Sequence, residues 1–419
     1  MKLITTLRIA AISLLIYIQI SAVTAQGDNE WHANIKTVEK LSEEGRGFNY
    51  REDRVPAFTL PDLFTSNDGV KITSGDLWTK IRRPEILEMF RKNVYGRVPE
   101  TTYKEEFKVI NLDTHAMGGT ATQKQVEIII GKNSESLTIH LTLFTPNDIR
   151  QPVPAFLLID NWTTDASVPS WKINGEFWPV NEALKRGYGM AVFSSSDLDP
   201  DNFDNFKNGI HGLLDKNPRP DDAWGTLAAW AWGASRCMDY LAGDKNIAPD
   251  KVAIVGHSRG GKTALWAGAE DTRFAMVVSN ESGAGGAALA RRRFGETVER
   301  LNAVFPHWFC SNYKKYSNKE DSLPVDMHML LALIAPRSLY IDCADEDLWG
   351  DPHGSYLSLY NAIPVYNLLG RNSEIPESMP ALNKQVISGR VGFHIRDGAH
   401  NLLMRDWNRF MDFADTVLK

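Results

Sequence analysis

The run VAIVGHSRGGKTALWAGA at residues 252–269 constrains this chain more than any other feature. Four apolar residues lead into Gly256-His257-Ser258-Arg259-Gly260, and an alanine-rich helical stretch follows. To pass from a buried strand into a helix over so few residues the backbone must turn sharply, and the flanking glycines let it do so without a Cβ clash. The turn lifts the Ser258 hydroxyl above a sheet. It also points the N–H of Arg259, at a helix N-terminus, toward any carbonyl the hydroxyl attacks. The bland alternative is a polar residue in a glycine-rich structural loop.

A serine hydroxyl is a poor nucleophile until a histidine takes its proton, and an acid must orient that histidine. For this strand–turn–helix motif the chain order is serine, acid, histidine. Of ten histidines only His394 and His400 lie near the C-terminus. His394, in GFHIRDG, alternates with apolar residues and reads as a strand residue. His400, in RDGAHNLL, sits on a glycine-containing loop before the last helix and is the expected base. Two acids compete. Asp347 follows the apolar run RSLYIDC, the usual place for the acid, crowded by Asp345, Glu346 and Asp351. Glu281 follows FAMVVSN one strand earlier, where it could equally bond the backbone of SGAGG. On residues alone Asp347 leads.

The rest of the pattern supports an α/β chain. EILEMFRKNVYGRVPE (85–100) reads as a helix ended by Gly96 and Pro99. QVEIIIG, LTIHLTLF, PAFLLID, GMAVFSSS, FAMVVSN and RSLYIDC read as strands, with KQVISGRV a later run. The segment 224–243 and the C-terminal stretch read as helices. Short, wholly apolar strands alternating with helices predict a mainly parallel sheet covered on both faces, in one domain.

Residues 1–25 stand apart. Lys2 and Arg8 precede an apolar run from Ile9 to Ile20, and compact residues at Val23 and Ala25 follow. That is the plan of a signal peptide cleaved after Ala25, and the run is too short for a membrane anchor. A secreted or periplasmic protein is expected, with no membrane attachment once the leader is gone. The formal net charge is −6, and losing the leader makes it more negative by two, so nothing favours nucleic acid or anionic lipid. Three cysteines allow at most one disulfide, and no Cys/His cluster has zinc-ligand spacing. No metal or cofactor is expected.

The motifs GHSRGGK (256–262), NESGAGG (280–286), RRRFGE (291–296), APRSLYI (335–341), DLWGDPHG (347–354) and DGAH (397–400) together resemble the bacterial glucuronoyl esterases of carbohydrate esterase family 15. RGYGMAVFSSSDLDPDN (186–202) and WGTLAAWAWGASRCMDYL (224–241) extend the likeness over roughly residues 85–419. The resemblance implies a three-layer α/β-hydrolase fold, with residues 85–419 as one catalytic domain; residues 26–84 match nothing in the family and are expected as an N-terminal extension packed on the core. It implies cleavage of esters that join 4-O-methyl-glucuronic acid on xylan to lignin alcohols. By the same likeness Ser258 is the nucleophile and His400 the base. Glu281 matches the family's acid after the earlier strand, and Asp347 the acid some bacterial members place at the usual site. Arg259 matches the oxyanion-hole residue, and Lys262, Glu296 and Trp349 match residues that hold the sugar ring. A monomer is expected.

Two departures stand out. Met327 occupies a position before His328 where the family usually carries Gln or His. His257 replaces the cysteine that fungal members place before the nucleophile, which excludes their disulfide there. Two other readings remain open from the residues: an acetyl-xylan or other carbohydrate esterase on the same fold, and a non-catalytic carbohydrate-binding relative.

Overall fold

The computed structural model describes residues 30–44, 47–161 and 175–419, and the leader-like residues 1–25 lie outside them. Ten strands form one sheet: β1 (Lys104–Ala116), β2 (Ala121–Lys132), β3 (Glu135–Pro146), β4 (Val153–Asp160), β5 (Gly189–Ser194), β6 (Ile247–His257), β7 (Met276–Asn280), β8 (Ser338–Ala344), β9 (Val386–Ser388) and β10 (Val391–Arg396). Their order is β1-β2-β3-β5-β4-β6-β7-β8-β10-β9. The run from β5 to β10 is parallel throughout. On one side β3, β2 and β1 extend it antiparallel, and on the other β9 pairs antiparallel with β10. The antiparallel wing follows from chain length: only residues 133 and 134 separate β2 from β3, far too few for a parallel crossover.

The parallel centre is the predicted one, and its pleat sorts side chains into two cores. Leu157, Ile159, Ile254, Val277 and Ile341 face one layer, packed against the helices Thr226–Gly243, Arg259–Glu270 and Pro352–Leu368. Phe156, Leu158, Val255, Val278 and Tyr340 face the other, which the C-terminal helix Met404–Val417 covers with Trp407, Phe410, Met411 and Phe413. Each such side chain, fully buried, contributes roughly 1.5–3 kcal/mol. Both faces of the central strands are therefore dry, as their unbroken apolar runs require.

Two elements differ from expectation. The helix expected over 85–100 belongs to a continuous helical run from Gly75 to Tyr95. It crosses residue 84, where the extension was expected to end. It stops at Gly96, whose φ is +90° and where a Cβ would lie 2.5 Å from the carbonyl oxygen of Ala223. Strand β1 was not among the expected strands; nearly all of it is exposed, Phe107, Val109 and Leu112 included, and it is paired only with β2.

Residues before Gly75 pack onto the loops that follow the strands. Val38 and Tyr50 form a small core with Phe294 and Leu348, and Phe48 meets Trp349 edge-on at 4.7 Å between ring centres. Cys237, Cys310 and Cys343 are buried free thiols. Among the described residues no helix is long and apolar enough to cross a membrane.

Candidate active site

The carboxyl ends of the parallel strands converge on one surface, where open α/β sheets bind their ligands. Ser258 follows β6 with φ 58° and ψ −125°, a strained backbone for a non-glycine residue. The glycines make that strain possible. A Cβ on Gly256 would sit 2.0 Å from the oxygen of Gly260, and one on Gly260 would sit 2.6 Å from Oδ1 of Asn161. The Ser258 carbonyl accepts from the N–H groups of Gly261 and Lys262, and its own N–H donates to the Asn280 carbonyl at 2.9 Å. Arg259 is the first residue of the helix Arg259–Glu270, so its N–H has no acceptor inside that helix.

Glu281 leaves β7 directly, with φ 48°, and Asp347 lies three residues beyond the end of β8. His400 lies on the loop between β10 and the last helix. Its Nδ1 is 2.7 Å from Oδ2 of Asp347 and 2.9 Å from Oε2 of Glu281. Burial opposes a charge on the ring, but the hydrogen bonds and charges of the two carboxylates prevail and raise His400 to about 10. Burial pushes Glu281 up to about 7, against the pull of His400 and Arg396. His400 and Glu281 are in direct contact, so their titrations belong to the pair rather than to either group alone. Among the described residues neither the Ser258 hydroxyl nor Nε2 of His400 has a hydrogen-bond partner. The His257 ring lies 4.4 Å from that of His400 and bonds Asn280 through Nδ1. His394, by contrast, is buried on β10 against Asp406 and Tyr340.

The cations beside Ser258 have defined partners. Arg259 donates through Nη1 to Asp201, which also accepts from Nε2 of His307 at 2.9 Å and Nε1 of Trp308 at 2.7 Å. The guanidinium lies 5.3 Å from the Trp308 ring, which stacks on Phe305. The Nε–H of Arg259 is buried without a partner among the described residues. Lys262 is 3% exposed, and its ammonium donates to the carbonyls of Ser282 and Ala284 and, at 2.7 Å, to Oε2 of Glu296. All three of its protons are used. Glu296 keeps Oε1 as an acceptor with no partner among the described residues, and its N–H donates to the carbonyl of Trp349, which places the half-buried indole beside it. Met327 is fully buried in the core.

Sequence reasoning missed Asp201, His307 and Arg396. Asp201 and His307 form the cap on Arg259, and Arg396 bonds Glu281. Only Arg396 had left a mark: a charge at the end of VGFHIR, a run otherwise written for a buried strand.

With this geometry in hand, the comparisons are specific. A family model described as glucuronyl esterase of fungi matches residues 128–370. A carbohydrate esterase from an unknown prokaryotic organism is 42% identical over 88% of this chain and 92% of its own length. The 4-O-methyl-glucuronoyl methylesterase of Schizophyllum commune is 28% identical over 76% of this chain and 75% of its own. The solved glucuronoyl esterase of Solibacter usitatus superposes with a TM-score of 0.83 at 38% identity, covering 88% of this chain and all of that one. This chain therefore belongs to the glucuronoyl esterases, carbohydrate esterase family 15.

Proposed function

We propose that this protein is a serine carboxylic ester hydrolase that cleaves 4-O-methyl-glucuronoyl esters linking xylan to lignin alcohols. The observation that carries this reading is the double hold on Nδ1 of His400 by Glu281 and Asp347. It fixes the ring so that Nε2 is the nitrogen left for a proton transfer, at the end of the sheet where the elbow raises Ser258.

In this reading Nε2 of neutral His400 takes the Ser258 proton as Oγ bonds the uronic ester carbon, and the carbonyl electrons move onto oxygen. The developing imidazolium is stabilised by the two carboxylates. The oxyanion is met by the N–H of Arg259 and its guanidinium, and removing such a donor typically costs about 2.7–4 kcal/mol. Collapse breaks the ester C–O bond, and the alcohol leaves with the proton from His400. Water gives a proton to Nε2 as its oxygen attacks the acyl-enzyme carbon; the Oγ–C bond then breaks, His400 returns the proton to Oγ, and the uronic acid and Ser258 are freed. Asp201 holds the Arg259 side chain in place. Glu296 accepts from a sugar hydroxyl through Oε1, Lys262 holds Glu296 in place, and Trp349 forms an apolar wall.

The leader-like plan of residues 1–25 supports export to the medium or periplasm. The test is kcat/KM on benzyl glucuronate beside its methyl ester and an acetylated xylose. Preference for the uronic esters, lost in Ser258→Ala with the fold intact, is expected. Turnover of the acetylated sugar alone would replace this reading with an acetyl esterase.

A further inference from the structure

The buried guanidinium of Arg396, the last residue of β10, is absent from the mechanism above yet binds both Glu281 and the loop that carries His400. Its side chain is fully buried. Nη2 donates to Oε1 of Glu281 and to the carbonyls of Ala399 at 2.9 Å and Asn401 at 2.8 Å. Nη1 donates to the carbonyl of Asp397, and Nε to Oδ2 of Asp406 at 3.1 Å. Asp406 in turn accepts from the N–H of Leu403, and Oε2 of Glu281 accepts from the N–H of Asn401 at 2.9 Å. The loop carrying His400 is thus pinned at residues 397, 399, 401 and 403, and Glu281 is pinned by three donors.

Asp347 is held quite differently. Its carboxylate makes one side-chain hydrogen bond among the described residues, to His400. Two acids reach the same nitrogen, one locked by Arg396 and the Asn401 N–H, the other held by a single hydrogen bond to the ring itself. We propose that Arg396 is a positioning residue that fastens Glu281 and the His400 loop into one unit, so that Glu281 orients the base and Asp347 is its replaceable second partner. This rests on the esterase reading above.

The charged and titratable groups facing Glu281 are His400, Asp347 and Arg396, with Asp342 on β8 and His257 on β6 behind them. Arg396 is the cation there that stays charged. Replacing it by a neutral residue makes the cluster hold its protons more tightly, so the acid limb of kcat/KM moves to higher pH. Losing either acid moves it the other way.

The experiment compares Arg396→Lys, Arg396→Gln, Glu281→Gln and Asp347→Asn on a methyl glucuronate ester, with active sites counted by a serine-reactive phosphonate. Arg396→Lys keeps the charge but not the fork. It should lose kcat by roughly ten- to hundredfold with KM little changed and the acid limb in place, as for residues that orient a catalytic group. Arg396→Gln should lose more and shift the limb upward. Glu281→Gln should cost roughly tenfold more in kcat than Asp347→Asn. Wild-type kcat and limb in both Arg396 variants would overturn the proposal. So would equal losses in the two acid variants, a comparison that stands even if Arg396 variants do not fold. If the wild-type protein fails to turn over the ester, the esterase reading falls instead, so the two failures are distinct.

Discussion

Glu281 and Asp347 leave neighbouring parallel strands and meet at a single atom, Nδ1 of His400, at 2.9 and 2.7 Å. A triad that loses its only acid drops kcat by roughly 10⁴ because the ring takes the wrong tautomer. Here either carboxylate keeps the proton on Nδ1, so each single amide variant should fall well short of that loss. The double variant Glu281→Gln/Asp347→Asn should approach it. Singles as poor as the double would show that the acids do not share the task.

The same pair sets the pH dependence. Two anions beside one ring hold its proton and raise His400 to about 10, and only the neutral ring accepts the serine proton. The acid limb of kcat/KM should therefore lie above the ordinary histidine range near 6.5. Asp347→Asn removes one anion, weakens the imidazolium and moves the limb to lower pH. A wild-type limb at or below the ordinary range, unmoved by the substitution, would contradict this account.

Gly256 offers a stability test of the elbow. A methyl there would lie 2.0 Å from the Gly260 oxygen, a backbone atom that cannot swing aside. Gly256→Ala should cost at least the roughly 1–3 kcal/mol of an overpacked core and abolish phosphonate labelling. At Gly131 a methyl meets nothing within 4 Å, so Gly131→Ala should leave both Tm and labelling near wild type. Equal behaviour of the two variants would remove the steric explanation of the motif.

What was legible in the sequence follows from locality. The elbow, the buried strands and the loop position of His400 are written in consecutive residues, so periodicity and glycine placement reveal them. Strand β1 carries Phe107, Val109, Ile110 and Leu112 among charged and polar residues and leaves them exposed, so it lacks the unbroken apolar run that marks the central strands. That Asp347 and Glu281 meet on one ring was not legible from spacing: adjacent parallel strands end only about 4.8 Å apart and deliver both acids to His400. The partners of the two cations were likewise hidden. Asp201 meets Arg259 across 58 positions, and Glu296 meets Lys262 across 34. No local signal reports such distances along the chain.

Lys262 and Glu296 also allow their structural and binding roles to be separated. Both are almost fully buried, so Lys262→Met leaves a buried carboxylate without its cation and should destabilise by about 3–5 kcal/mol. Lys262→Met/Glu296→Leu removes both charges and should recover much of that loss in a denaturant titration. Recognition should not recover: KM for glucuronate esters should stay raised in both variants while KM for a simple aryl acetate changes little. Parallel changes on both substrates would take the pair out of sugar binding and leave it a purely structural bridge.

The N-terminal segment reaches the same pocket through Phe48. Its ring stands edge-on to Trp349 at 4.7 Å, and the Arg300 guanidinium lies 5.7 Å from the centre of the Phe48 ring. Asn49 accepts from the N–H of Gly295, next to Glu296, and Glu52 bonds Arg292, which in turn holds Asp351. The segment therefore braces both loops proposed to grip the sugar. An edge-to-face pair contributes about 0.5–1.5 kcal/mol beyond area burial, which corresponds to roughly two- to tenfold in binding. Phe48→Ala should raise KM for glucuronate esters by about that factor. kcat should hold, because the acids and His400 are anchored elsewhere. A fall in kcat with KM unchanged would mean that residues 48–52 support the catalytic groups rather than the sugar wall.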